Sequence, residues 1–177
     1  MPEAFYNFLE RFATWQVVAL LFILFILCAQ GFELRRKAFG YENTALDARR
    51  WYSPDEARDF LGAIGERGRR IYIATELTLD ILFPLVYGAL FAALIIHVYA
   101  RQTARSLVLV PLLTALADVL ENITAAYLAW QFDGQASPIA RVATVFTAVK
   151  SGLFVLSLGL ILLGALAAIW RTSRSPS

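Results

Sequence analysis

Four long apolar stretches, at residues 14–32, 75–99, 106–132 and 139–170, constrain this chain more than any other feature. A helix needs roughly 20 apolar residues to cross the hydrocarbon of a bilayer. In that solvent each backbone amide and carbonyl must be satisfied inside the segment, so stretches of this kind cross as α-helices. They take up most of the 177 residues, of which 59% are hydrophobic. The expected fold is an all-α integral membrane protein, a four-transmembrane-helix bundle. It forms one membrane domain over residues 1–177, with a polar connection at 33–74.

The stretch nearest the N-terminus does not read as a cleavable signal, because the residues before it hold Glu3 and Glu10 against Arg11 alone. A retained helix is expected. Cys28 is the only cysteine, so no disulfide can form within the chain, and it reads as a packing residue. Ahead of the first span, Phe5, Phe8, Leu9 and Phe12 recur at i, i+3, i+4 and i+7. That stripe fits an interfacial helix and fits equally an extension of the first span.

Within the connection, Ser53-Pro54-Asp55-Glu56 combines a serine N-cap, a proline at the first helical position and a glutamate at the third. Ala57, Phe60, Leu61 and Ile64 then share a face, which predicts a short amphipathic helix on the membrane surface or in the mouth of the bundle. Gly62, Gly65 and Gly68 permit a bend after it.

Arg35, Arg36, Lys37, Arg49, Arg50, Arg58, Arg67, Arg69, Arg70 and Arg141 place ten positive residues on the connection side. Arg11, Arg101, Arg105, Arg171 and Arg174 place five on the other. By the positive-inside rule the connection faces the cytoplasm and both termini are non-cytoplasmic. A plasma membrane or bacterial inner membrane is the default location. The connection also carries Glu33, Glu42, Asp47, Asp55, Glu56, Asp59 and Glu66, so it is not a polybasic arm and no nucleic-acid partner is expected.

Ionisable residues inside the spans mark the candidate site. An ionised group in hydrocarbon costs at least ~2.5–3.5 kcal/mol, and such residues face the protein interior. Glu76, Asp80, Pro84 and Tyr87 share a helical face in the second span. Thr114, Asp118, Glu121 and Asn122 cluster in the third, and Thr144, Thr147, Lys150 and Ser151 in the fourth. The expected ligand-binding set is Glu76, Asp80, Tyr87, Asp118, Glu121, Asn122, Thr147 and Lys150, with Asp118, Glu121 and Asp80 as candidate catalytic groups. Arg69, Arg70 or Arg141 is expected to pair with Glu76, and Lys150 with Asp118 or Glu121. Pro84 has no amide hydrogen, so the Asp80 carbonyl four residues back loses its helical partner beside an ionisable group.

Several chemistries are excluded. His97 is the only histidine, so paired-histidine metal sites cannot form, and neither a metal nor a cofactor is expected. His97 reads as an interfacial residue. No serine or cysteine lies beside a base. Asn122-Ile123-Thr124 matches a glycosylation pattern, but at a depth where the modification cannot occur. Gly152, Gly159 and Gly164, with Ala165, Ala167 and Ala168, predict close packing of the last helix within the bundle, with homo-oligomer contact as the second use. Trp15, Trp130, Trp170 and Tyr99 form an interfacial belt.

A four-span bundle with carboxylates facing an apolar cavity resembles the general plan of sterol-isomerase and sigma-2-receptor-like proteins, at the level of fold. The leading expectation is binding of a hydrophobic or amphipathic small molecule, such as a hydrophobic amine, or of a membrane lipid. An intramembrane acid/base enzyme, isomerase-like, would use the same carboxylates to give and take protons on a lipid or sterol-like substrate. A structural or assembly subunit would need the ion pairs only to hold helices together. A proton or cation pathway is the weakest of the four, because the polar residues concentrate in one half of the bilayer.

Overall fold

The computed structural model describes residues 1–39, 45, 46, 49 and 51–173, with the backbone alone at 36–39 and 172. Most of the five-residue segment 40–44, with 47, 48, 50 and 174–177, is charged, polar or glycine, and it lies outside the described residues; it includes Glu42, Asp47, Arg50 and Arg174 of the charge count. The helices are α1 (Glu3–Phe12), α2 (Trp15–Phe39), α3 (Pro54–Ala63), α4 (Gly65–Glu76), α5 (Leu79–Val98), α6 (Arg101–Leu107), α7 (Leu109–Trp130) and α8 (Ile139–Ser173). No strand occurs among the described residues. Four helical segments are long and apolar enough to cross a membrane, at Trp15–Arg35, Gly65–Val98, Arg101–Trp130 and Ile139–Arg171.

Two of these segments are interrupted where the sequence suggested continuous helices. The second breaks at Leu77 and Thr78, between α4 and α5, where Thr78 takes φ −124° and ψ −82°. The hydroxyls of Thr75 and Thr78 bond back to the carbonyls of Ile71 and Ala74, at 2.8 and 2.6 Å. Such back-bonding competes with the helical ladder and bends it. The third breaks at Val108, between α6 and α7. Pro111 cannot donate to the carbonyl of Leu107, so the interruption falls one turn before the proline.

α5 and α7 are the most enclosed of the apolar helices, and α7 packs most extensively against α8. α2 packs chiefly on α5. Its inward residues Val18, Leu21, Phe25, Cys28, Phe32 and Arg35 recur at about two per seven residues. Gly88 lets α5 approach α7, since a Cβ there would lie 2.8 Å from the Ala115 Cβ and 3.4 Å from the Pro111 carbonyl oxygen. Gly164 does the same for α8, where a Cβ would fall 2.5 Å from Val98 Cγ2. Next to it the Tyr99 hydroxyl donates to the Leu160 carbonyl at 2.8 Å. Gly152 and Gly159 depart from expectation: a Cβ at either would meet nothing within 4 Å, so neither serves close packing inside the molecule.

The connection folds back onto the helix ends. The capping box forms at Ser53, whose hydroxyl accepts from the Glu56 amide at 3.2 Å while its own amide donates to the Glu56 carboxylate at 2.7 Å. That amide donation, with the serine hydroxyl, holds the Glu56 pKa below the usual carboxylate range. α3 buries Ala57, Phe60 and Leu61 against Leu46, Tyr52, Tyr72, Leu128, Ala129, Ala140 and Ala143. The Tyr52 amide donates to the Thr144 hydroxyl at 3.0 Å, fixing the connection to α8. The turn into α4 is made at Gly65, with φ +63°, a conformation that favours glycine.

At the opposite end α1 stands apart from α2, because Ala13 leaves the helical region with ψ 52°. The phenylalanine stripe is therefore not a simple extension of the first span. Tyr6 packs with Ala92, Ile95, Ala104 and Val108.

Gly88→Ala forces two methyl groups together across α5 and α7. Over-packing of this kind costs about 1–3 kcal/mol. Thermal unfolding in detergent should show a clear fall for Gly88→Ala and none for Gly152→Ala, where the space is open.

Candidate intramembrane polar site

Glu76, Asp80, Thr114, Asp118, Glu121, Asn122, Thr144, Thr147 and Ser157 are all buried. In the low dielectric between apolar helices they must find partners on neighbouring elements. α7 supplies Asp118 and Glu121, three residues apart on one face. α8 supplies the cation. The Lys150 ammonium lies 2.9 Å from Asp118 Oδ1 and also pairs with Glu121 Oε2. Each carboxylate has a second partner: the Tyr87 hydroxyl of α5 donates to Asp118 Oδ2 at 2.9 Å, and the Thr147 hydroxyl donates to Glu121 Oε1 at 2.6 Å. α5, α7 and α8 thus meet at one polar centre, with Lys150 paired to both of its expected partners.

A second centre lies toward the connection. Arg35 of α2 bonds to Asp80 at 2.9 Å and lies 3.6 Å from Glu76, with its guanidinium 5.3 Å from the centroid of the Tyr72 ring. The expected partners of Glu76 lie elsewhere. Arg69 donates to the Leu61 carbonyl at 3.0 Å, Arg70 pairs with Glu66, and Arg141 is exposed at the start of α8. Arg35 was counted among the connection's charges because it follows the apolar run. In the structure α2 continues past it, and Gly31 lets that part of the helix come close to Leu79. The signal was present in the sequence: Arg35 falls on the stripe of Val18, Leu21, Phe25, Cys28 and Phe32.

The two centres are joined through a helix defect. The Asp80 carbonyl, left without a helical partner by Pro84, accepts from the Asn122 Nδ2 of α7. The other end of that amide, Oδ1, is buried without a hydrogen-bond partner. Beyond the lysine centre the Thr114 and Ser157 hydroxyls approach to 3.4 Å, so polar pairing runs further along α8 than the spacing suggested. Ser157 was missed because a single serine in an apolar helix can satisfy itself on its own backbone, as it does at 2.8 Å to the Leu153 carbonyl.

Aromatic rings floor the site. The Tyr87 ring lies 5.2 Å from Phe83, 5.7 Å from Phe91 and 5.2 Å from Phe154, and Phe83 continues the row to Phe25 and Phe32 of α2. The row touches α2, α5 and α8. His97 is separate from the site; it bonds to the Ala93 carbonyl at 2.8 Å, with its ring 4.2 Å from that of Trp15. Among the described residues no group of three or more His, Cys, Asp or Glu side chains is arranged to hold a metal ion.

Replacing Arg35 takes the guanidinium from both Asp80 and Glu76 in a site it shares with the aromatic face of Tyr72. Breaking a buried pair costs about 3–5 kcal/mol. Arg35→Met should show a loss of that order in denaturant unfolding, and Arg35→Lys should recover only part of it, because an ammonium lacks the planar guanidinium that bonds Asp80 while lying against the Tyr72 ring.

Comparison with protein-family models, curated proteins and solved structures finds no match to this chain.

Proposed function

We propose that the chain is a single-domain, four-helix membrane bundle that binds a hydrophobic or amphipathic small molecule, or a lipid with a polar end, at the Asp118–Glu121–Lys150 centre. The supporting observation is one of charge. Asp118 and Glu121 share one ammonium, so with both ionised the centre carries a formal negative excess. One anion per cation suffices for charge balance, and a second one adds a desolvation cost. A ligand with a positive or donating end, such as a hydrophobic amine, supplies the missing complement. Asn122 Oδ1 is a neighbouring buried acceptor. Tyr87 and Thr147 position the centre, Asp80 is joined to it through Asn122, Glu76 lies beside Asp80 at Arg35, and the phenylalanine row offers the apolar wall.

A second reading, a structural or assembly subunit, draws support from the completeness of the pairing, since both carboxylates have two partners each. The two readings part at Asp118→Asn, which keeps the shape and removes the charge. Ligand binding requires this variant to stay folded while losing stabilisation by added amphiphiles, measured as the thermal shift in detergent. If Asp118→Asn and Lys150→Met both lose about 3–5 kcal/mol, the double variant recovers it and no amphiphile shifts the unaltered protein, the structural reading holds instead.

The topology proposed with this function puts the connection and α3, an amphipathic helix over the bundle mouth, in the cytoplasm of a cell with a plasma or bacterial inner membrane. Both termini then face outward. Arg35 pairs inside the molecule and no longer counts as a connection charge, which leaves nine positive residues on that side against five. In a Cys28→Ala background, an impermeant thiol reagent added to intact cells should label Glu3→Cys and spare Asp59→Cys. The reverse pattern inverts the topology.

A further inference from the structure

At the end of the molecule remote from the connection, α1 divides into three faces. Tyr6 and Leu9 turn toward α5 and α6, with Tyr6 buried. Glu10 and Asn7 are both held by the Arg101 guanidinium, which also lies 5.2 Å from the centroid of the Tyr6 ring. Arg105 donates twice to the Met1 carbonyl, at 3.0 and 2.8 Å, which fixes the start of the helix. Phe5, Phe8 and Phe12 remain on a third face, 45%, 55% and 56% exposed, with the last two rings 4.8 Å apart.

We infer that α1 is a lipid-binding surface, an in-plane helix that seats Phe5, Phe8 and Phe12 at the boundary between headgroups and acyl chains. At 100° per residue, Glu3, Asn7 and Glu10 lie opposite the phenylalanines, and Tyr6 and Leu9 lie between the two sets. A helix flanked by protein on one side, with rings directed to hydrocarbon and charges directed to water, has the partition of an interfacial segment. Along the chain the phenylalanines are followed by Trp15, which is 65% exposed, and by the exposed Leu20, Phe22 and Ile23 of α2. Exposed rings that lead within three residues into a helix long and apolar enough to cross a membrane have the bilayer as their occupant. A second copy of the chain would cover the rings without explaining why both acids, Glu3 and Glu10, lie on the reverse face, with Arg11 at the flank. The inference is independent of the polar site.

Spin labels test it in phosphatidylcholine vesicles, using full-length protein with Cys28→Ala and one label at Phe8→Cys, Glu3→Cys or Ile23→Cys. Power saturation with oxygen and with a water-soluble nickel chelate reports the surroundings of each. The label at position 8 should favour oxygen several-fold and lie shallower than the label at 23, while the label at 3 should favour the chelate. Chelate access at both 3 and 8 places α1 in water and overturns the inference. Oxygen preference at both places it in the hydrocarbon and also overturns it. Shielding of position 8 from both reagents, with spin–spin broadening, assigns the face to a second copy and overturns it as well.

Discussion

The pairing of buried carboxylates with Lys150 and Arg35 is the constraint on which the rest of this structure depends. Apolar helices in a bilayer gain little from burying side chains against one another, because lipid tails are as apolar as leucine. Polar and ionic contacts therefore decide which helix faces which. Lys150 brings α8 to α7 through Asp118 and Glu121, Tyr87 adds α5, and Arg35 brings α2 to α4 and α5. The close approaches at Gly88 and Gly31 fall within about a turn of Tyr87, Asp118 and Arg35, where the polar faces already hold the helices side by side.

The backbone obeys the same constraint. Pro84 removes one ladder bond at the depth of the charges, and a side-chain amide from the next helix replaces it. In water a solvent molecule would do this at little cost, but in hydrocarbon the partner must come from the protein. Asn122 is thus tied to its position by the helix defect on α5. The breaks at Leu77–Thr78 and Val108 are managed similarly, with threonine hydroxyls or a proline setting where each ladder stops.

Much of this was legible in the sequence, for identifiable reasons. Asp118, Glu121, Asn122, Thr147 and Lys150 could be placed on facing sides because helical spacing is fixed and charge cannot face lipid. The Ser53–Glu56 box was legible because its bonds are local. Arg35 was misread because a cation just after an apolar run looks like a boundary marker, and only the three-dimensional path of α2 shows that it turns inward. Gly152 and Gly159 were misread because a small residue signals potential for close approach without saying whether a helix is there to approach. The interruption between α4 and α5 was hidden because Thr75 and Thr78 are compatible with a continuous helix and bend it only through their hydroxyl bonds.

The distribution of exposure within the ionic centres bears on how a ligand would reach them. The cations are the more open members: the Arg35 side chain is 12% exposed against 7% for Asp80 and none for Glu76, and that of Lys150 is 16% exposed against 10% for Asp118 and 1% for Glu121. Long aliphatic stems let such groups move their charge by several ångströms, while a carboxylate on a short stem stays with its helix. In the binding reading, the mobile part of the site is thus the lysine, and the fixed part is the pair of acids with the Tyr87 and Thr147 hydroxyls. A positively charged end could enter by displacing the ammonium outward rather than by finding an empty space beside it. As the ammonium swings aside it keeps one of the two acids while the incoming charge takes the other, so neither carboxylate is left uncompensated in a medium of low dielectric.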